Sequence, residues 1–231
     1  MGGVLSGEIR PIAWKARAAP RQDEGHARPA TIPGSAPYAW PMGLFDAITG
    51  RRKVKSPAPD RLFAITTAQI TLESEHGITS RGAAAIVFQP LATGGFEQIA
   101  ADMEAVLRGA GEETGSTIET HADSMGYSWM IVRDDDVEDL AVGINAVSEQ
   151  LTLEGYGDRL LCAVFSFQDA QGAPISFIYN YKRGTWYPFV PAPGEQQRST
   201  ERELRLKAVL AADLPIEPEL DRWFPLWDIP I

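Results

Sequence analysis

Cysteine is nearly absent from this 231-residue chain: Cys162 stands alone. One thiol cannot form an internal disulfide, and it cannot build a thiolate zinc site, which needs several soft ligands held together. Histidine is almost as scarce. His26, His76 and His121 include no pair at the i, i+4 spacing that sets two imidazoles on one helix face, so a helical metal site is not expected. Uninterrupted apolar runs of roughly 20 residues, the length a membrane-spanning helix needs, are also missing. The first 35 residues carry Glu8, Arg10, Lys15, Arg17, Arg21, Asp23, Glu24 and Arg28 without a central apolar stretch, which does not fit a secretory signal. These absences point to a reducing, cytoplasmic setting and to a protein without a cofactor.

What is present is a 44% hydrophobic composition, enough for a sizeable core, and a net charge of −10 that is unevenly spread. Residues 1–41 hold five basic and three acidic side chains, and residues 42–60 hold four and two. Residues 61–231 hold 12 basic and 26 acidic. An acidic body repels phosphates, and no basic patch is large enough to offset it, so a nucleic-acid partner is not expected.

Residues 1–41 are rich in Pro, Ala, Gly and Arg and show neither helical nor strand periodicity, so they read as a disordered leader. Met42-Gly43-Leu44-Phe45-Asp46 would itself make a plausible start, and the leader is read as a start assigned too far upstream. Residues 42–59 form a short basic amphipathic segment and linker. Leu44, Phe45 and Ile48 share one helical face, and Arg51, Arg52, Lys53 and Lys55 follow before Pro57 and Pro59 break the chain. Phe and Leu can enter an acyl boundary while each cation gains about 1 kcal/mol near an anionic leaflet, so these residues are candidates for contact at the inner face of the cytoplasmic membrane. Packing of this helix on the domain is the alternative.

Residues 60–231 read as one α+β domain. Thr67 to His76 is expected to be a helix ended by Gly77, Ala83 to Gln89 a strand, and Gly95 to Arg108 a helix with Phe96, Ile99, Met103, Val106 and Leu107 on one stripe. Thr117 to Thr120 and Tyr127 to Val132 form a hairpin around Asp123-Ser124-Met125-Gly126, the second strand being apolar on both faces. Asp136 is the expected N-cap of a helix to Leu153 whose inner stripe is Leu140, Ile144, Val147 and Leu151. Leu160 to Gln168 and Pro174 to Tyr181 make a second hairpin around Asp169-Ala170-Gln171-Gly172, and Thr200 to Ala211 a last helix. The order predicts a mainly antiparallel sheet with helices on one face: a ferredoxin-like βαββαβ core, one added strand and a helix at each end.

Candidate chemistry is sparse. His121 and Asp123 lie two apart and would share one face of a strand, which could orient an imidazole for acid/base work or be a surface hydrogen bond. Asp134-Asp135-Asp136 could attract a hard cation, but carboxylates also favour a helix N-terminus. The glycine-rich run from Gly109 to Gly115 lacks the Gly-Lys-Ser/Thr ending of a phosphate loop. Cys162, inside an apolar strand with no cationic neighbour, reads as a buried, inert thiol.

Two segments stand out. Tyr181-Lys182-Arg183-Gly184-Thr185-Trp186-Tyr187-Pro188-Phe189 puts aromatics beside cations just past a strand end, which suits a recognition surface formed by Lys182, Arg183, Trp186, Tyr187 and Phe189. Equally it suits a loop folded back over the core, with its cations paired to the acidic body. Leu214 to Trp227 is unusually apolar and rich in proline, so it either wraps this domain or offers an apolar patch to a partner.

These two segments, together with Asp60-Arg61-Leu62-Phe63, Asp123-Ser124-Met125-Gly126-Tyr127-Ser128-Trp129 and the Met42 to Asp46 run, resemble the PspA-associated protein PspAB family. The resemblance spans roughly residues 42–231. It implies association with PspA, the membrane-surface protein of the phage-shock envelope-stress response, and a functional link to an HtpX-type membrane protease. It brings no catalytic residues. The expectation is therefore a non-enzymatic, cytoplasmic accessory protein that binds a PspA-like partner, with peripheral membrane contact. The alternatives are a general peptide- or client-binding, chaperone-like module and, more weakly, a small hydrolase.

Overall fold

In a computed structural model, residues 59–91, 98, 101–105, 108 and 115–231 are described. The leader, the linker and the membrane-contact residues Leu44, Phe45, Ile48, Arg51, Arg52, Lys53 and Lys55 lie outside them.

The chain enters α1 (Pro59–His76) with proline at the first helical position, where its missing N–H costs nothing, and Asp60 in the first turn, where a carboxylate faces the positive helix end. This helix begins eight residues before the Thr67 start that periodicity predicts. Leu62, Ile65, Ala68 and Leu72 form its buried stripe. After Gly77 comes β1 (Thr79–Phe88). Residues 98, 101–105 and 108 are helical, and Met103 is buried as expected; the other residues of that predicted stripe lie outside the description.

The hairpin of β2 (Thr117–Ala122) and β3 (Ser128–Arg133) turns at Asp123–Gly126, where Asp123 N–H donates to Tyr127 O and Gly126 N–H to Asp123 O. Next, α2 (Val137–Leu153) is capped by Asp136, whose carboxylate accepts from Glu138 N–H at 2.7 Å, and Leu140, Ile144, Val147 and Leu151 are all buried. The second hairpin joins β4 (Leu160–Gln168) to β5 (Pro174–Asn180) through the Asp169 turn. It is followed by β6 (Thr185–Phe189) and α3 (Thr200–Val209).

All six strands form one antiparallel sheet in the order β2-β3-β1-β4-β5-β6. Two strands, β5 and β6, therefore extend the β4 side where one was expected. The fold is α+β. Strand β6 escapes sequence reading because Pro188 sits inside it, yet Trp186 N–H points outward to Pro215 O, so the missing N–H of Pro188, two residues on, also faces the outer edge and breaks no ladder bond.

Each sheet face carries its own apolar cluster. One holds Ile86, Met130, Phe165, Phe177, Tyr179 and Trp186 under α1, α2 and α3. The other holds Val87, Trp129, Ile131, Val164, Ile178, Tyr187 and Phe189, joined by Trp223, Leu226 and Trp227 from the proline-rich segment. Helices cover one face as predicted, and the segment after α3 packs on the opposite one. Strand β3 thus buries both its faces because its four central positions, Trp129, Met130, Ile131 and Val132, are all apolar.

Candidate functional site

The run that invites a recognition reading is a tight turn followed by an edge strand. At its start Asn180 C=O accepts from the N–H groups of Arg183 and Gly184, and Asn180 Oδ1 accepts from Lys182 N–H at 3.0 Å. Lys182 and Arg183 are exposed at the tip. Trp186, Tyr187 and Phe189 are not: they are core residues, 0%, 3% and 2% exposed. Trp186 packs against Phe165 and Tyr179 with ring centroids 5.6 and 5.2 Å away, and its indole N–H donates to Arg61 O at 2.7 Å. Tyr187 stacks on Trp223, and Phe189 meets the edge of Trp227. Alternation along β6 sends these rings to opposite faces, and Lys182 and Arg183 are left as the exposed residues of the run.

Arg183 is committed to the fold. Its guanidinium pairs with Glu217, and Thr185 Oγ1 donates to the same carboxylate at 2.9 Å. Burial alone would raise the Glu217 carboxyl, but the hydrogen bonds from Arg183, Glu219 N–H and Thr185 outweigh it and hold the group below the usual carboxylate range. A second buried carboxylate, Glu203, accepts from Val190 N–H at 2.9 Å and pairs with Arg198, whose Nη1 donates to Trp223 O at 2.6 Å. Further ties are Trp223 Nε1–H to Glu217 O at 3.0 Å and the Tyr187 hydroxyl to Phe224 O at 3.1 Å. The segment is therefore pinned up to Phe224 by charge and hydrogen bonds.

The alternative sites of the sequence are also placed. His121 faces Trp129 across the β2–β3 ladder, while Asp123 Oδ1 accepts from Met125 and Tyr127 N–H, both at 2.9 Å, and Oδ2 from Trp129 Nε1 at 3.0 Å. Desolvation pushes the Asp123 carboxyl up, and the Trp129 and backbone hydrogen bonds pull it further down, leaving it below its ordinary value. Both its oxygens hold the hairpin turn, and no hydrogen bond or ion pair links it to His121 among the described residues. In the aspartate triplet, Asp134 accepts from Ser116 and from Asp136 N–H, and Asp136 caps α2. Cys162 lies on the second face, where burial pushes its thiol up to about 12.

Sequence reading missed Glu217, which lies in an irregular segment without periodicity, and Glu203, a carboxylate on the buried face of α3 whose partners Val190 and Arg198 lie in the irregular stretch before that helix. It also missed a cleft over the second face. Residues 226–231 roof a cavity of about 240 Å³ whose floor includes Ser166 and Ser176 and whose mouth includes Arg81 and Asp228. The available signal was a serine at an inward position of each of two otherwise apolar strands.

Among the described residues no helix is long and apolar enough to cross a membrane. No curated protein and no solved structure matches the chain. A family model described as PspA associated protein B matches residues 42–231, which takes in the whole six-stranded sheet, both pinned carboxylates and the segment that packs on the second face, and the chain belongs to that family.

Proposed function

We propose that this protein is a non-enzymatic accessory factor of an envelope-stress response and that it acts by associating with PspA. The observation that carries the reading is the family match over residues 42–231, whose description is association with PspA. The state of the polar groups supports it: the oxygens of Asp123 hold a hairpin turn, and Asp134 and Asp136 hold the start of α2. A general client-binding role would draw on an open apolar sheet face, whereas Trp129, Ile131, Val164 and Ile178 are all buried. The contact we favour is the cationic tip of the β5–β6 turn, where Lys182 offers an ammonium with no ion pair among the described residues, on a support made rigid by Trp186 and Tyr187. Membrane contact through Leu44, Phe45 and Ile48 beside Arg51, Arg52, Lys53 and Lys55, and a link to an HtpX-type protease, belong to the same reading.

The test is retention of purified PspA on the immobilised full chain, wild type beside Lys182→Glu, at low and physiological salt. Wild type should retain PspA and the charge reversal should weaken retention severalfold. Failure of wild type to retain PspA at either salt would remove the association itself, and equal retention by both would move the contact away from the turn.

A further inference from the structure

The cleft over the second face is built into the sheet. The row Ala85–Val164–Ile178–Tyr187 crosses β1, β4, β5 and β6 with branched aliphatic side chains on the two middle strands, and two residues along, the parallel row is Ala83–Ser166–Ser176–Phe189. Three small residues side by side leave a trough, because side chains two apart on a strand share a face. Just before it, β1 is bulged between Ser80 and Ala83, with Gly82 at φ 65°, a conformation that favours glycine, and this irregularity brings Arg81 to the mouth of the trough. Residues 226–231 form the roof, with Trp227 and Ile229 as apolar walls and Asp228, at φ 55°, beside Arg81 in the lining.

Its polar groups are unused. Ser166 and Ser176 are 4% and 7% exposed and stand directly opposite each other across the β4–β5 ladder, yet neither hydroxyl has a hydrogen-bond partner among the described residues. Neither oxygen is sealed off: the fully buried side-chain oxygens without a partner among the described residues are those of Tyr179 and Tyr181, so both serine hydroxyls open onto the cavity and are available to whatever occupies it. Arg81 and Asp228 have opposite charges, line the same cavity, and form no ion pair with each other or with any described residue. The cavity's about 240 Å³ is room for about eight waters at ~30 Å³ each, or for one small organic molecule.

We propose that this cleft binds a small zwitterion with an apolar body, the chemistry of a free aliphatic α-amino acid. Its carboxylate pairs with Arg81, its ammonium with Asp228, and its polar end bonds to the Ser166 and Ser176 hydroxyls while its side chain lies against Trp227 and Ile229. The roof is the part of the proline-rich segment beyond Phe224, the last of its residues with a hydrogen bond among the described residues, so it can lift to admit the ligand without breaking the Glu217 and Trp223 anchors.

Calorimetric titration of the full chain with L-leucine, isocaproate (no ammonium) and isopentylamine (no carboxylate) tests this, alongside Arg81→Gln and Ser166→Val. Leucine should bind saturably at millimolar concentrations, both single-charge analogues at least tenfold more weakly, and both variants should lose at least tenfold in leucine affinity. Arg81 is exposed, so its variant keeps the test valid should the floor-filling Ser166→Val fail to fold. Absence of saturable leucine binding overturns the proposal. So does binding of either analogue as tight as leucine, or leucine binding that Arg81→Gln leaves unchanged.

Discussion

Cys162 and Glu217 show how burial sets the behaviour of single side chains. With its thiol raised to about 12, Cys162 presents a thiolate fraction near pH 8 of only about one in ten thousand, where an ordinary cysteine is about a quarter ionised. Ellman's reagent should therefore leave the native protein unlabelled, and labelling should rise with urea in step with unfolding. Rapid labelling without denaturant would place the thiol at the surface. Glu217 carries a pH dependence whose sign follows from its lowered carboxyl. A folded-state value below the ordinary glutamate value of about 4.3 contributes stability that is present above that pH and is lost as the pH falls through the lower, folded value. Glu217→Gln should cost about 2 kcal/mol near neutral pH, the order expected for hydrogen bonds to a charged group. That deficit should shrink below about pH 4, where the wild-type carboxyl protonates too. Urea titrations at both pH values measure it, and a deficit that is the same at both would mean that charge plays no part at this site.

At the scale of elements, legibility followed local signals. The helix α2 could be read nearly to the residue because an N-cap, an apolar stripe and terminal glycines agree, and both hairpin turns could be read because Asp123 and Asp169 supply their own capping oxygens. The start of α1 was hidden by Pro57 and Pro59, which look like breakers although Pro59 is the first helical residue. Strand β6 was hidden by Pro188, and with it the burial of Trp186, Tyr187 and Phe189, because a proline is tolerated where its missing N–H faces the outer edge, and which strand lies at the edge is set by the assembled sheet rather than by local sequence. The candidate site was half legible for the same reason: aromatics beside cations could be seen, but the buried acid that claims Arg183 lies 34 residues away. Packing of α2 on β3 also depends on a contact that periodicity does not reveal. A Cβ on Gly143 would stand 3.2 and 3.3 Å from the two methyls of buried Val132. Alanine there improves helix propensity by about 1 kcal/mol, but overpacking a stiff β-branched neighbour costs roughly 1 to 3 kcal/mol, so Gly143→Ala should be net destabilising. In a double-mutant cycle, Val132→Ala should absorb much of that loss. A Gly143→Ala variant more stable than wild type would show that Val132 yields freely.

The described residues form a single sheet covered by helices on one face and packed on the other by an irregular segment that no secondary-structure pattern announces. That arrangement makes the segment's two halves unequal. Residues 216–224 carry Glu217 and Trp223, which satisfy Arg183, Arg198, Thr185 and Tyr187 or are satisfied by them, whereas residues 225–231 contribute half-buried apolar contacts over the serine-floored trough. Truncation after Phe224 removes only the roof. It should leave cooperative unfolding with a modestly lower urea midpoint, and it should expose Phe189 by removing the edge contact from Trp227. Truncation after Pro215 removes the partner of Arg183 and the ring stacked on Tyr187 while leaving β6 in place. The large apolar area thereby bared on the second face should abolish cooperative unfolding or drive the chain into aggregates. Urea unfolding followed by far-ultraviolet circular dichroism, with light scattering as the aggregation readout, distinguishes the two. If the Pro215 truncation unfolds cooperatively at the midpoint of the full chain, the segment is an ornament on a self-sufficient sheet. A graded loss, small to Phe224 and severe to Pro215, instead makes the irregular segment as much a part of the core as any strand.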